Sequence, residues 1–207
     1  LATDKVEAIA LHDCDIVTYD RSLLARLIYP MANPQFSYQF AKGYYPRIAE
    51  GNLNGRVTRL LITPLLQSLQ QVCGDSDYLS YLDGFRYPLA GEFSFRKGVI
   101  PDIRMPSDWG LEMGTLSEMF RNYSNNKLCQ VDIAEVYDHK HQDISVDDRA
   151  KGLSKMSIDI CKLIYEDWDK KEKPAFDTMQ VLLAVLVILI AVYFNYKPKC
   201  CDHDHAS

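Results

Sequence analysis

Asp13 and Asp15, in His12-Asp13-Cys14-Asp15, follow directly on the apolar run Ala8-Ile9-Ala10-Leu11. Such a run suits a buried strand, and open α/β sheets gather their ligands just beyond the carboxyl ends of their strands. Paired carboxylates there suit a hard divalent cation, which keeps few protein ligands and shares its other positions with phosphate oxygens and water. The alternative is a turn whose aspartates cap the next helix.

A second group is Gly55-Arg56-Val57-Thr58-Arg59. Two arginines in the first turn of a helix oppose the macrodipole at a cost of about 0.3 to 1 kcal/mol, which an anion would offset. Backbone N–H groups, the Thr58 hydroxyl and the Arg56 fork can hold a phosphate or carboxylate, with Gly55 letting the backbone approach. Solvated arginines, or a salt bridge to Glu50, are the plainer alternative. His139 and His141, two apart at the end of a strand-like stretch, can face one side toward a metal, although surface histidines are as common there. Glu112, in Trp109-Gly110-Leu111-Glu112-Met113-Gly114, opens a helix, where a carboxylate also satisfies the dipole without any substrate.

The elements that must position these groups alternate between strand and helix, the α/β signature. The pattern predicts a strand at 8–11, a helix at 19–28 stopped by Pro30 and Pro34, and an aromatic strand within 36–45. A loop is expected at 51–55 and a helix at 56–72 perturbed by Pro64. A strand-to-loop unit at 85–92, a helix at 111–120 and a strand at 128–137 follow. Ser145 and Asp148 form a capping box for a long helix whose buried stripe is Leu153, Met156, Ile160, Leu163 and Ile164. The expected organisation is a catalytic segment 1–142, an amphipathic helix within 143–174, and an apolar helix with a polar tail over 175–207.

The chain has 207 residues, 47% hydrophobic and 25% charged, with a net charge of −5. The acidic balance removes the long-range attraction that a general nucleic-acid binder requires. Six cysteines without a CxxC pair read as reduced thiols in a cytoplasmic protein. Residues 181–194 form an uninterrupted apolar run, shorter than the roughly 20 residues of a membrane span. The wider stretch 176–196 is mostly apolar, and Tyr193, Tyr196, Lys197 and Lys199 leave a membrane anchor as one reading; a packed or dimer-forming helix, or an altered reading frame at the terminus, are the others. The tail Cys200-Cys201-Asp202-His203-Asp204-His205 is expected to be a disordered end rather than a metal site.

Together and in order, five motifs resemble the glucosyl-3-phosphoglycerate synthases, retaining GT-A-fold glycosyltransferases. They are His12-Asp13-Cys14-Asp15, Gly55-Arg56-Val57-Thr58, Pro88-Leu89-Ala90-Gly91-Glu92, Trp109-Gly110-Leu111-Glu112-Met113-Gly114, and Gln130-Val131-Asp132 followed by His139. The resemblance implies a GT-A-like α/β fold with C-terminal helices, and a divalent metal, Mg2+ or Mn2+. It implies Asp15 and His139 as metal ligands, Asp13 near the sugar, and Gly55, Arg56 and Thr58 on the acceptor. Leu89 would line the reaction centre with its backbone, and Glu112 would hold the transferred sugar's hydroxyls. It further implies a nucleotide-sugar donor, 3-phosphoglycerate as acceptor, same-face attack with the departing phosphate taking the acceptor's proton, and a homodimer. His141 has no assigned role; Tyr137 stands where some relatives carry arginine, and Trp109 where some carry tyrosine.

The part of such enzymes that precedes the Asp-x-Asp element and binds the nucleotide base has no counterpart here. The chain is therefore expected to be N-terminally truncated and inactive by itself. The rival readings are a related GT-A enzyme using another sugar or acceptor, such as a mannosyl transferase, and a non-catalytic, membrane-tethered interaction protein.

Overall fold

A computed structural model describes residues 6–49, 52–74, 76–138 and 152–171. The expected strand forms as β1 (Ala8–Leu11), and the helix after it as α1 (Arg21–Ala32). Asp20 caps α1, its carboxylate accepting from the Ser22 N–H at 2.7 Å. Pro30 does not stop this helix as expected: the chain stays helical to Ala32, and Asn33 closes it with an N–H bonded to the Tyr29 carbonyl. Lacking an N–H near the end of a helix removes one bond, and burial of Leu23, Leu27, Pro30 and Met31 on one face outweighs that loss.

β2 (Phe40–Tyr44) is shorter than the aromatic stretch suggests. Phe36 and Tyr38 lie before it, and their carbonyls accept from the Arg96 guanidinium at 3.0 and 2.9 Å. The loop expected at 51–55 is in part a strand: β4 (Asn52–Leu53) pairs with β3 (Ile48–Ala49) in a small hairpin. Helix begins at Arg56 and is perturbed ahead of Pro64 as expected: with no N–H at Pro64 the α-helical ladder is broken there, and α2 (Thr63–Cys73) follows on. The turn before it, Thr58–Ile62, widens into a π-helix. α3 (Asp77–Asp83) has no counterpart in the sequence reading. Its seven residues are too few to show a periodic stripe, yet Ser76 caps Leu79 and both Leu79 and Leu82 are fully buried.

Residues 85–92 form turns rather than a strand, and the strand they lead into is β5 (Phe93–Arg96). α4 spans Leu111–Asn122, β6 Leu128–Asp132, and α5 Gly152–Lys171. Strand character thus stops at Asp132 rather than Tyr137. Ser145 and Asp148, like residues 175–207, lie outside the described residues. No described helix is long and apolar enough to cross a membrane, and the apolar run 181–194 is not among the residues searched.

The main sheet has the order β1-β5-β2-β6. β5 is antiparallel to both β1 and β2, while β2 and β6 are parallel. Leu11 and Lys42 both pair with Phe93, and Tyr44 pairs with Asp132. This register brings the carboxyl ends of β1, β2 and β6, and the start of β5, to one edge of the sheet. On one face Phe40, Phe93 and Phe95 pack with α2, α3, α4 and the Ile160 and Ile164 stripe of α5. On the other, Leu23 and Leu27 of α1 pack with Tyr45, Ala90, Ile133 and Tyr137.

The fit between α4 and its cover is tight at Gly114, where a Cβ would lie 2.4 Å from Pro106 Cγ and 3.1 Å from Leu163 Cδ1. Alanine gains about 1 kcal/mol of helix propensity over glycine, but overpacking costs about 1 to 3 kcal/mol. Gly114→Ala is therefore expected to lower the urea midpoint at unchanged m-value, by a net loss of up to about 2 kcal/mol. A stabilised variant would show that this contact relaxes freely.

Candidate active site

The sheet edge where the four strand ends meet collects an unusual set of charges. Lys42, in the otherwise apolar Phe40-Ala41-Lys42-Gly43-Tyr44, is 1% exposed. Its ammonium donates to the Ala90 carbonyl at 2.5 Å and lies 5.2 Å from the Phe93 ring centroid. The carboxylates of Glu112, Glu92 and Asp13 all act on it. Burial nevertheless wins and pulls the Lys42 ammonium down to about 8.

Glu92, fully buried at the start of β5, accepts three hydrogen bonds. Tyr45 donates its hydroxyl to Oε2 at 2.7 Å, Tyr137 donates its hydroxyl to Oε1, and the Asp13 backbone N–H donates to Oε1 at 3.3 Å. The two phenol rings stack, with centroids 3.6 Å apart. Burial, followed by the Glu92 charge, raises both phenols above their ordinary value, so each remains a neutral donor.

Asp13 is pressed against the 89–91 backbone: a Cβ on Gly91 would sit 2.1 Å from its Oδ1. Burial, then repulsion from Glu92, Glu112 and Asp15, raises the Asp13 carboxyl to about 7, with Lys42 pulling the other way. Glu112, in the first turn of α4, is also raised, chiefly by burial and against the attraction of Lys42. Such crowding of like charge beside Asp15 is what a divalent cation relieves, and carboxylate oxygens are its preferred donors. Among the described residues no group of three or more His, Cys, Asp or Glu side chains forms a ready metal site. His139 and His141 lie outside those residues.

Backbone pairing joins the acidic loop to the segment after β6. The Val17 N–H donates to the Asp138 carbonyl at 2.8 Å, and the Asp138 N–H donates to the Thr18 hydroxyl at 3.0 Å. Asp138, the residue that precedes His139, is thus fixed beside the loop that carries Asp13 and Asp15.

The Gly55–Thr58 corner reaches the same site through aromatic contacts. Gly55 has φ +76°, a left-handed conformation that a glycine adopts readily. A Cβ there would lie 3.7 Å from the Tyr87 ring, and the Tyr87 and Tyr45 rings are 5.3 Å apart edge to face. Arg47 donates to the Tyr87 hydroxyl at 3.0 Å. Arg56 is exposed, whereas Thr58 is buried and its hydroxyl has no hydrogen-bond partner. A buried, unpaired hydroxyl is costly, and the π-helical turn that begins there holds it in place. Both ring nitrogens of His12 are likewise buried and unpaired.

Asp13, Glu112 and the Leu89 segment therefore gather around Lys42 and Glu92, with Asp15 beside Asp13. Gly55, at the head of the Arg56–Thr58 corner, lies against Tyr87, whose ring meets Tyr45. Trp109 is partly exposed at the entry to α4, where the Asp108 side chain holds the Gly110 N–H at 2.8 Å. Lys42, Tyr45, Arg47 and Tyr87 are absent from the sequence reading, and Glu92 appears there only within a motif. A lysine between Ala41 and Gly43 in an aromatic strand is the one signal that could have pointed to the buried charge.

The chain matches no protein-family model. It is 48% identical over 158 residues to a glucosyl-3-phosphoglycerate synthase of Persephonella marina, covering 76% of this chain and 39% of that protein. It is 47% identical over 162 residues to one of Methanococcoides burtonii, covering 77% and 39%. The chain thus spans about two fifths of the length of these relatives. Among solved structures, it is similar in fold to the Mycobacterium tuberculosis glucosyl-3-phosphoglycerate synthase in complex with Mn2+, UDP-glucose and glycerol 3-phosphate. That likeness has a TM-score of 0.60 at 20% identity, over 78% of this chain and 49% of the other.

The electrostatic arrangement sets two signs. In the metal-free protein, Glu92→Gln is expected to lower the Asp13 carboxyl from about 7, and Lys42→Met to raise it, as followed by carboxyl 13C shifts. Asp13 lies above its unfolded value of 3.8, so its contribution to stability is present below that value and is lost as pH rises through about 7. Lys42 acts in a different window, between about 8 and 10.5. Loss of stability from pH 4 to 7 is therefore expected to be smaller in Asp13→Asn, by urea melts at each pH; an identical slope would remove Asp13 as its cause.

Proposed function

From a chain related over three quarters of its length to the glucosyl-3-phosphoglycerate synthases, we propose that these residues form the metal- and acceptor-binding part of a retaining glucosyltransferase acting on 3-phosphoglycerate. The observation that carries the reading is the convergence at one sheet edge of Asp13, Glu112 and the 89–91 backbone with the buried, unpaired Thr58 hydroxyl nearby. The donor is a nucleotide-activated glucose, as in the mycobacterial complex with UDP-glucose.

Asp15 and His139 hold the divalent cation, with Asp138 paired to the Asp13–Thr18 loop immediately before that histidine. Bound there, Mg2+ or Mn2+ neutralises charge on the leaving diphosphate. Gly55, Arg56 and Thr58 grip the acceptor's anionic groups, the hydroxyl of Thr58 gaining the partner it lacks. Glu112 accepts from the sugar's hydroxyls, Asp13 lies close to the sugar, and the Leu89 backbone closes the reaction centre. Lys42 keeps Glu112 and Asp13 from repelling each other out of position. Rate enhancement in such a site comes chiefly from orientation of donor and acceptor rather than from a protein nucleophile. The reading places the chemistry in the cytoplasm, where phosphorylated three-carbon acids and nucleotide sugars are met.

Binding of 3-phosphoglycerate to this chain, by isothermal titration, tests the acceptor half directly. Thr58→Val and Arg56→Ala are each expected to weaken binding by about 10-fold or more, the scale of one hydrogen bond to a charged group. Unchanged affinity in both variants would remove this corner as the acceptor site. Asp15→Ala is likewise expected to remove Mn2+ binding to this chain, read by electron paramagnetic resonance.

A further inference from the structure

The residue tying the most chain segments together at this edge is neither in the acidic pair nor on the acceptor corner. We propose that Glu92 is a positioning residue of the transfer reaction, clamping the loop that carries Asp13 and Asp15 to the segment that ends at Asp138. The proposal rests on the reading of Asp15 as a metal ligand, and goes beyond it by naming what holds that ligand in place.

The geometry is specific. Oε1 of Glu92 takes both the Asp13 backbone N–H, from the segment after β1, and the Tyr137 hydroxyl, from the segment after β6. Oε2 takes the Tyr45 hydroxyl, from the end of β2. One side chain immediately before β5 thus joins the exits of the three other strands of the sheet. The stacked Tyr45 and Tyr137 rings orient both phenols toward it, and complete burial removes water as a substitute partner. Downstream of this clamp, the Val17 to Asp138 and Asp138 to Thr18 bonds continue the same pairing. Asp15 lies between the two points of attachment, at Asp13 and Val17. The backbone that carries its carboxylate is therefore held on both sides.

A glutamine in place of Glu92 can keep its oxygen on Asp13 and Tyr137 and turn its amide to the Tyr45 hydroxyl, so it leaves the clamp closed. Methionine keeps the length and removes both acceptors, so the exits are released. Groups that orient metal ligands from behind typically cost 10- to 100-fold in metal affinity when altered. In the chain with Mn2+, binding is read by electron paramagnetic resonance, counting only the binding that Asp15→Ala removes. Glu92→Met and Tyr137→Phe are each expected to weaken it about 10-fold. The double variant is expected to be little worse than Glu92→Met alone, because both remove one shared contact. Ile160→Val, destabilised in the core on the other face of the sheet, is expected to bind as the parent does.

Parent-like Mn2+ affinity in Glu92→Met and Tyr137→Phe overturns the proposal, as does an equal loss in Ile160→Val. If the parent chain itself has no Asp15-dependent binding, the metal reading fails instead. The clamp is then decided by amide hydrogen exchange: faster exchange at Asp13 and Val17 in Glu92→Met, with β2 and α4 amides unchanged, supports it. Unchanged exchange at those two amides overturns it.

Discussion

A buried ammonium facing three carboxylates sets the terms for this fold's functional edge. Lys42 is out of water in the middle of an aromatic strand, where an unpaired cation would be costly. Glu92, Glu112 and Asp13 supply more negative charge than it can balance. The result is an edge held together by hydrogen bonds to neutral partners, with a surplus of negative charge left on its open side. The sheet register makes this possible, because the antiparallel β5 begins where its neighbours end. Glu92 and the 89–91 turn therefore face the exits of β1, β2 and β6 without any long loop.

The same arrangement explains why packing and chemistry cannot be separated here. Tyr45 and Tyr137 belong to the hydrophobic cluster under α1 and also carry the hydrogen bonds to Glu92. Gly91 permits the Asp13 carboxylate to lie against the backbone. On the opposite face the core formed with α2, α3, α4 and α5 fixes the start of α4, and with it Glu112. The structure keeps the carboxylates close by rigid surroundings rather than by mutual attraction.

Much of the fold was legible in the residues because apolar runs and helical stripes report burial directly. β1, α1, α4 and the Ile160 and Ile164 stripe of α5 follow that rule. Pro30 shows its limit: a local penalty was overridden by the buried face of the same helix. The strand part of the strand-to-loop unit expected at 85–92 did not form: these residues are turns that lead into β5, and only 88–92 are buried. α3 was too short to display a period. Asp13 and the Gly55–Thr58 corner were singled out from residue type and position, and the role of Glu112 from the family resemblance. Lys42, Glu92 and the two stacked tyrosines were not, because their importance lies in contacts between segments about 45 residues or more apart, and no local spacing encodes such contacts.

The central claim is that the Asp13–Asp15 loop and the segment ending at Asp138 make one cation site beside the Gly55–Thr58 corner. Anomalous diffraction from crystals of this chain grown with Mn2+ and 3-phosphoglycerate tests it most directly. The account predicts a manganese peak at the Asp15 carboxylate and phosphoglycerate density against the Thr58 hydroxyl. A manganese peak remote from Asp13 and Asp15, with the acceptor bound elsewhere, would contradict it.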